Sequence, residues 1–191
     1  MLDLSKELYT AISIVISIAS SYPYVRDVIR GTTKPHFFTW FIWGLVAAII
    51  FVAMRIEGAG VGAWIVGFGA FKCLSFAGLA LWRGEKTITR SDWWSFVACL
   101  TAIPIWMITR DPLWSVVWLV GIEAVAFFPT FRKSLHKPHE ETISSYLWGV
   151  VQSILTLLAI ERYAWVNMLY ALSIIIQNGA FVLFVWWRRR N

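Results

Sequence analysis

Two ionisable residues stand in the middle of long apolar stretches of this chain, Lys72 within GFGAFKCLSFAGLALW and Glu123 within LWSVVWLVGIEAVAFF. Gln152 and the pair Gln177-Asn178 hold comparable places in two further stretches. An ammonium and a carboxyl so placed can bind a solute or exchange a proton. Glu123 would accept a cationic or hydroxyl group or take up a coupling proton, Lys72 would hold an anionic group, and the amides would complete the hydrogen bonding. A charge at the centre of a membrane helix costs about 2.5 to 3.5 kcal/mol on insertion scales, so such a residue marks a functional site by default. The plain alternative is that Lys72 and Glu123 pair with each other as a structural bridge. Gln152 lies one helical turn from Trp148 and shares its face. Both could also serve only in packing and helix-to-helix hydrogen bonding.

The elements that carry these residues follow from composition. The 191 residues are 59% hydrophobic and only 15% charged, against roughly half and a quarter in a soluble domain. This balance points to an all-α integral membrane protein. A helix needs about 20 mostly apolar residues to cross the hydrocarbon. Seven runs qualify: Leu8 to Ile29, Phe37 to Met54, Gly60 to Trp82, Trp93 to Thr109, Leu113 to Phe131, Ser144 to Ile160 and Tyr163 to Trp187. They leave no extramembrane domain, so function is expected within the bundle. The first run is read as a span and not as a cleaved leader, because Asp3 and Glu7 offset Lys6 in the region before it. Thirteen tryptophans suit the water–lipid interface. Cys73 and Cys99 lie in apolar runs and read as small hydrophobes, without disulfide, metal or nucleophilic roles.

The net charge of +6 sits in short connections. Arg26, Arg30, Lys34, Arg83, Lys86, Arg90, Arg132, Lys133, Lys137 and Arg188 to Arg190 fall on one side, and Lys6, Arg55, Arg110 and Arg162 on the other. This asymmetry places the N-terminus outside and the C-terminus in the cytoplasm, with a bacterial inner membrane as the expected location. It also argues against nucleic acid as a partner. No Ser-His-Asp set and no phosphate loop is seen, and His136 and His139 beside Glu140 and Glu141 read as a solvated loop. Neither enzyme activity, cofactor nor metal is expected. Gly60, Gly62, Gly67 and Gly69 are expected to let the third span pack closely.

The tripeptide Lys-Pro-His occurs at residues 34–36 and again at 137–139, within YPYVRDVIRGTTKPHFFTWFIWG and FPTFRKSLHKPHEETISSYLWG. Pro23 aligns with Pro129, Arg26 with Arg132, Trp43-Gly44 with Trp148-Gly149 and Trp82-Arg83 with Trp187-Arg188, at offsets of 105 or 106. On this alignment Lys72 matches Gln177, Cys73 matches Asn178 and Ser17 matches Glu123. Two copies of three helices keep one orientation only if a helix lies between them, which the fourth run supplies. The expected division is 1–84 for the first triple-helix bundle, 85–111 for the linker helix and 112–191 for the second bundle.

Seven helices in a three-plus-one-plus-three order, with Pro23 and Pro129 near one end of the first helix of each copy, resemble the SWEET and PQ-loop superfamily. The family's Pro-Gln dipeptide reads Pro23-Tyr24 and Pro129-Thr130 here. The resemblance implies parallel bundles that rock by alternating access and move a small polar solute, sugar by family habit. It implies hinges at Pro23 and Pro129, aromatic walls at Trp43 and Trp148, and a ligand-binding Asn178. The Lys72 and Glu123 pair tilts the expected solute towards an amino-acid-like zwitterion. A monomer would hold a complete site, and a homo-oligomer is compatible. The rival readings are a membrane-embedded sorting receptor of KDEL-receptor-like architecture and a structural or lipid-handling membrane subunit.

Overall fold

The computed structural model describes residues 4–31, 35, 37–84, 90–136 and 143–190. Lys34, His36, Lys86 and residues 137–141, including the second Lys-Pro-His, lie outside the described residues, as do the side chains of Pro129, Arg132, Lys133 and His136. Among the described residues the chain is helical, without strands. The helices are α1 (Leu4–Ile29), α2 (Phe37–Ile56), α3 (Ala63–Arg83) preceded by a 3-10 turn (Gly60–Gly62), α4 (Arg90–Leu100), α5 (Ala102–Thr109), α6 (Pro112–His136), α7 (Ile143–Ala159) and α8 (Trp165–Arg190).

The ends of these helices are written locally. Gly31, at φ +76°, follows α1, and its N–H reaches the Val28 carbonyl at 3.0 Å. After α2 the N–H of Ala59 bonds Met54 and that of Gly58, at φ +72°, bonds Arg55, the paired bonds of a Schellman cap. Asp111 caps α6 by accepting the Leu113 N–H at 2.9 Å, with Pro112 at the first helical position. The expected fourth span is one rod with an interruption at Thr101. Pro104 lacks the N–H that would reach Leu100 and crowds that carbonyl, while the bonds Thr101 to Val97 and Ile105 to Thr101 carry the helix across. α1 continues through Pro23, which stands exposed.

Three segments are long and apolar enough to cross a membrane: 4–29, 60–83 and 165–190. The segments 40–56, 96–109, 112–124 and 146–159 are apolar but shorter, among the described residues. The faces these helices bury reverse the soluble pattern. α1 buries Thr10, Ser13 and Ser17 and turns Leu8, Val15 and Ile18 outward. α7 likewise buries Ser153 and Thr156 while Leu147, Ile154 and Leu158 stand exposed. A helix in water hides its apolar stripe. Small hydroxyl residues inside and branched apolar residues outside are what lipid-facing helices show. α2 is the exception, burying Phe38, Ile42, Val46, Ile50 and Met54 at successive four-residue steps at the centre of the apolar core.

Packing repeats between the two halves of the chain. α3 packs on both α1 and α2, and α8 packs on both α6 and α7. Across the halves, α1 packs on α7 and α2 on α6. A close crossing joins the 3-10 turn to the end of α7. A Cβ at Gly62 would stand 2.8 Å from the Ala159 carbonyl carbon and from the Ile160 nitrogen, so the backbones meet where only hydrogen fits. The Glu161 N–H donates to the Ala59 carbonyl at 3.0 Å, and the Val61 N–H donates to Glu161 Oε1 at 3.2 Å. Asn167, fully buried, donates to the carbonyls of Arg162 (2.8 Å) and Glu57 (3.3 Å) and so ties both turns together. The exposed Arg162–Glu57 pair at 3.8 Å adds at most about 1 kcal/mol. Of the four glycines expected to give close packing, Gly60 and Gly62 meet the other half of the chain, at the Glu161 side chain and the Ala159–Ile160 backbone, and Gly67 sits against Phe51, whereas Gly69 faces open space.

Candidate functional site

Lys72 lies near the middle of α3, and its Nζ donates to Ser17 Oγ of α1 at 3.0 Å. Glu123 lies near the middle of α6, and its Oε2 is buried without a hydrogen-bond partner among the described residues. No ion pair joins Lys72 to Glu123 among the described residues; those seen at this distance include Arg26–Asp27 and Arg162–Glu57. The structural bridge weighed from the sequence is therefore not formed.

The reason is helical geometry. Successive helix residues point about 100° apart, and the Lys72 side chain is directed to Ser17 of α1. Lys72 thus meets Ser17 between α1 and α3, while Glu123 on α6 has Tyr170 of α8 within electrostatic range and Cys73 lies within range of both Lys72 and Glu123. Tyr170, partly buried against the apolar core, was not singled out from the sequence. It sits in an aromatic-rich helix start that reads as an interface anchor, and its sequence neighbours carry no signal for the site.

The remaining expected residues divide. Asn178 is partly buried, with its Nδ2 2.5 Å from where a Gly149 Cβ would stand, so the missing side chain at position 149 makes room for the amide. Gln152 and Gln177 are also partly buried, and among the described residues neither side chain nor that of Asn178 forms a hydrogen bond. Trp148 stands 44% exposed on α7. Trp43 packs edge-on to Trp40 with ring centres 5.3 Å apart. Trp40 donates to the Tyr24 hydroxyl at 2.8 Å, and Phe76, one turn beyond Lys72, lies 4.8 Å from both rings. This aromatic cluster ties α1, α2 and α3 together on one side of Lys72. Tyr24, the residue after Pro23, is its hydrogen-bonded member.

The interior thus carries an ammonium held by a hydroxyl and, separately, an unsatisfied carboxyl oxygen, groups able to engage a polar solute or a proton. Among the described residues no group of three or more His, Cys, Asp or Glu is placed to hold a metal ion. The chain matches no protein-family model, no curated protein and no solved structure.

Proposed function

We propose that the protein is a membrane carrier that moves a small polar solute, sugar or amino-acid-like, by alternating access between two parallel triple-helix bundles, α1–α3 and α6–α8, with α4 and α5 as the linker. The observation that carries this reading is the buried, unpartnered Oε2 of Glu123 in the middle of a helix whose surroundings are apolar. Such a group is expensive to keep and is best accounted for by a ligand or proton that visits it. Three further observations support the reading. α1 and α7 turn hydroxyl residues inward and branched apolar ones outward. The packing of α3 on α1 and α2 has its counterpart in α8 on α6 and α7, and the crossing of α1 on α7 has its counterpart in α2 on α6. The Lys72–Ser17 contact also falls, on the repeat alignment, opposite Gln177 and Glu123.

The likeness to the SWEET and PQ-loop superfamily belongs to this proposal, as does an orientation with the N-terminus outside and the joined turns at Gly62 and Glu161 on that face. In this state the turns close that side. Lys72 and Glu123, with Asn178, Gln152 and Gln177, form the solute site, and Trp43 braces it through the aromatic cluster.

The test is thermal unfolding of the purified protein with a panel of sugars, amino acids, nucleosides and vitamins, followed by uptake of any stabilising compound into sealed liposomes. A ligand at 100 times its Kd stabilises by about 2.7 kcal/mol. Stabilisation with uptake is expected. Binding without uptake would replace the carrier by a receptor, and no stabilising compound would leave a structural subunit. Gly149→Ala gives a sharper check on Asn178. Its Cβ meets only the mobile end of the Asn178 side chain, so the melting point should move by less than about 1 kcal/mol in equivalent stability. The displaced amide should nonetheless weaken solute stabilisation. Unchanged solute binding in Gly149→Ala would remove Asn178 from the site.

A further inference from the structure

Between α1 and α3, at the end of the bundle where α1 begins, the surface carries a groove of about 590 Å³. Ala11 and Ile14 form one wall, Trp64, Phe68 and Phe71 the other, and Glu7 stands at its mouth. The Thr10 hydroxyl donates to the Val61 carbonyl at 3.4 Å and closes the upper end of the crevice between the two helices. Trp64 and Phe71 remain 52% and 66% exposed, so the aromatic wall is open to the side. The guanidinium of Arg55 lies 5.8 Å from the centre of the Trp64 ring and donates to the Gly60 carbonyl at 3.2 Å. The apolar groove therefore has a carboxylate of α1 in its lining, and a guanidinium from the end of α2 lies against its tryptophan without itself lining the groove.

We propose that this groove is a binding site for a zwitterionic aminophospholipid, with one acyl chain along the Ile14–Phe71 walls, the ammonium at Glu7 and the phosphate at Arg55. The proposal rests on α1 and α3 being membrane spans and is independent of which solute the interior binds. Three features select this occupant. The walls are apolar and open sideways along two membrane-length helices, which suits a hydrocarbon chain and excludes a sugar-like solute. From Glu7 to Ile14 the groove runs about 10 Å at 1.5 Å per residue, starting in the first turn of α1. That is the reach of a chain within one leaflet, and much less than the ~30 Å over which a partner helix would need a matching seam. A carboxylate in the lining and a guanidinium against the lining tryptophan complement a headgroup that carries both signs, where an anionic headgroup would meet Glu7 unfavourably. The groove volume lies in the range of specific small-molecule sites.

The experiment is native mass spectrometry of the detergent-purified protein incubated with phosphatidylethanolamine or phosphatidylglycerol of identical acyl chains. One retained phosphatidylethanolamine per chain is expected, favoured about tenfold over phosphatidylglycerol, as one charge contact of about 1.4 kcal/mol provides. Ala11→Trp, at an exposed position where the new ring fills the groove without entering the core, should abolish retention at an unchanged melting temperature. Glu7→Gln should keep the lipid but equalise the two headgroups. Retention by Ala11→Trp equal to that of the wild type would overturn the site. A preference unchanged in Glu7→Gln would overturn the headgroup assignment, and a lipid-free two-chain mass lost in Ala11→Trp would give the groove to a second copy instead.

Discussion

Gly62→Val is expected to destabilise the protein by about 3 kcal/mol and to part the two turns that join the halves of the chain. Gly62 has φ −61° and ψ −28°, a conformation open to any residue, so the requirement is purely one of space. The atoms a side chain would meet are the backbone of Ala159 and Ile160 at 2.8 Å. Backbone cannot rotate away as a side-chain tip can. Separation by even a fraction of an ångström lengthens the Glu161 to Ala59 and Val61 to Glu161 bonds, and these couple the 3-10 turn to α7. Gly69→Ala is the control, since that position faces open space within α3 and should gain up to about 1 kcal/mol from reduced backbone freedom in the unfolded chain. Thermal unfolding of both variants in one detergent checks the pair. A Gly62→Val protein as stable as Gly69→Ala would show that the close approach does not occur.

Glu123→Gln should reduce solute uptake on the order of 100-fold, the equivalent of about 2.7 kcal/mol, and flatten its dependence on pH. The amide cannot exchange a proton and presents a weaker acceptor. Tyr170 of α8 and Cys73 of α3 lie within electrostatic range of the carboxyl, while Lys72 is engaged by Ser17. Stability should hold or rise, because a neutral amide costs less to bury than an ionisable acid. This sign separates the site from a structural bridge, in which losing one partner of a buried ion pair would cost about 3 to 5 kcal/mol. Uptake in liposomes at several pH values, normalised to folded protein, is the measurement. Full uptake with an unaltered pH profile would remove Glu123 from the mechanism.

Much of the helical layout was legible because length and apolarity are properties of a run of residues. The start of α2 at Phe37 and the turn at Gly60 fell where the runs began. What each side chain faces was not legible. Lys72 and Glu123 looked like natural partners at matched depth, yet the neighbour of α3 on the Lys72 side is α1, and Ser17 takes the ammonium. That outcome depends on how whole helices are arranged around one another, which no local window contains. Gly62 was noticed within a glycine-rich stretch, but its partner is the end of α7, nearly a hundred residues away. Tyr170 was missed for the same reason, since its relation to Glu123 arises from the approach of α8 to α6.

The bond from Glu161 to Ala59 runs from one main chain to another. Exchanging either side chain leaves its donor and acceptor in place, so an alanine scan across these turns would pass over it. It answers to spacing and to the one residue that lacks an N–H. Glu161→Pro would delete the fastening outright, and a single inserted residue between 159 and 161 would misalign it, although neither position carries any chemical signature of the role.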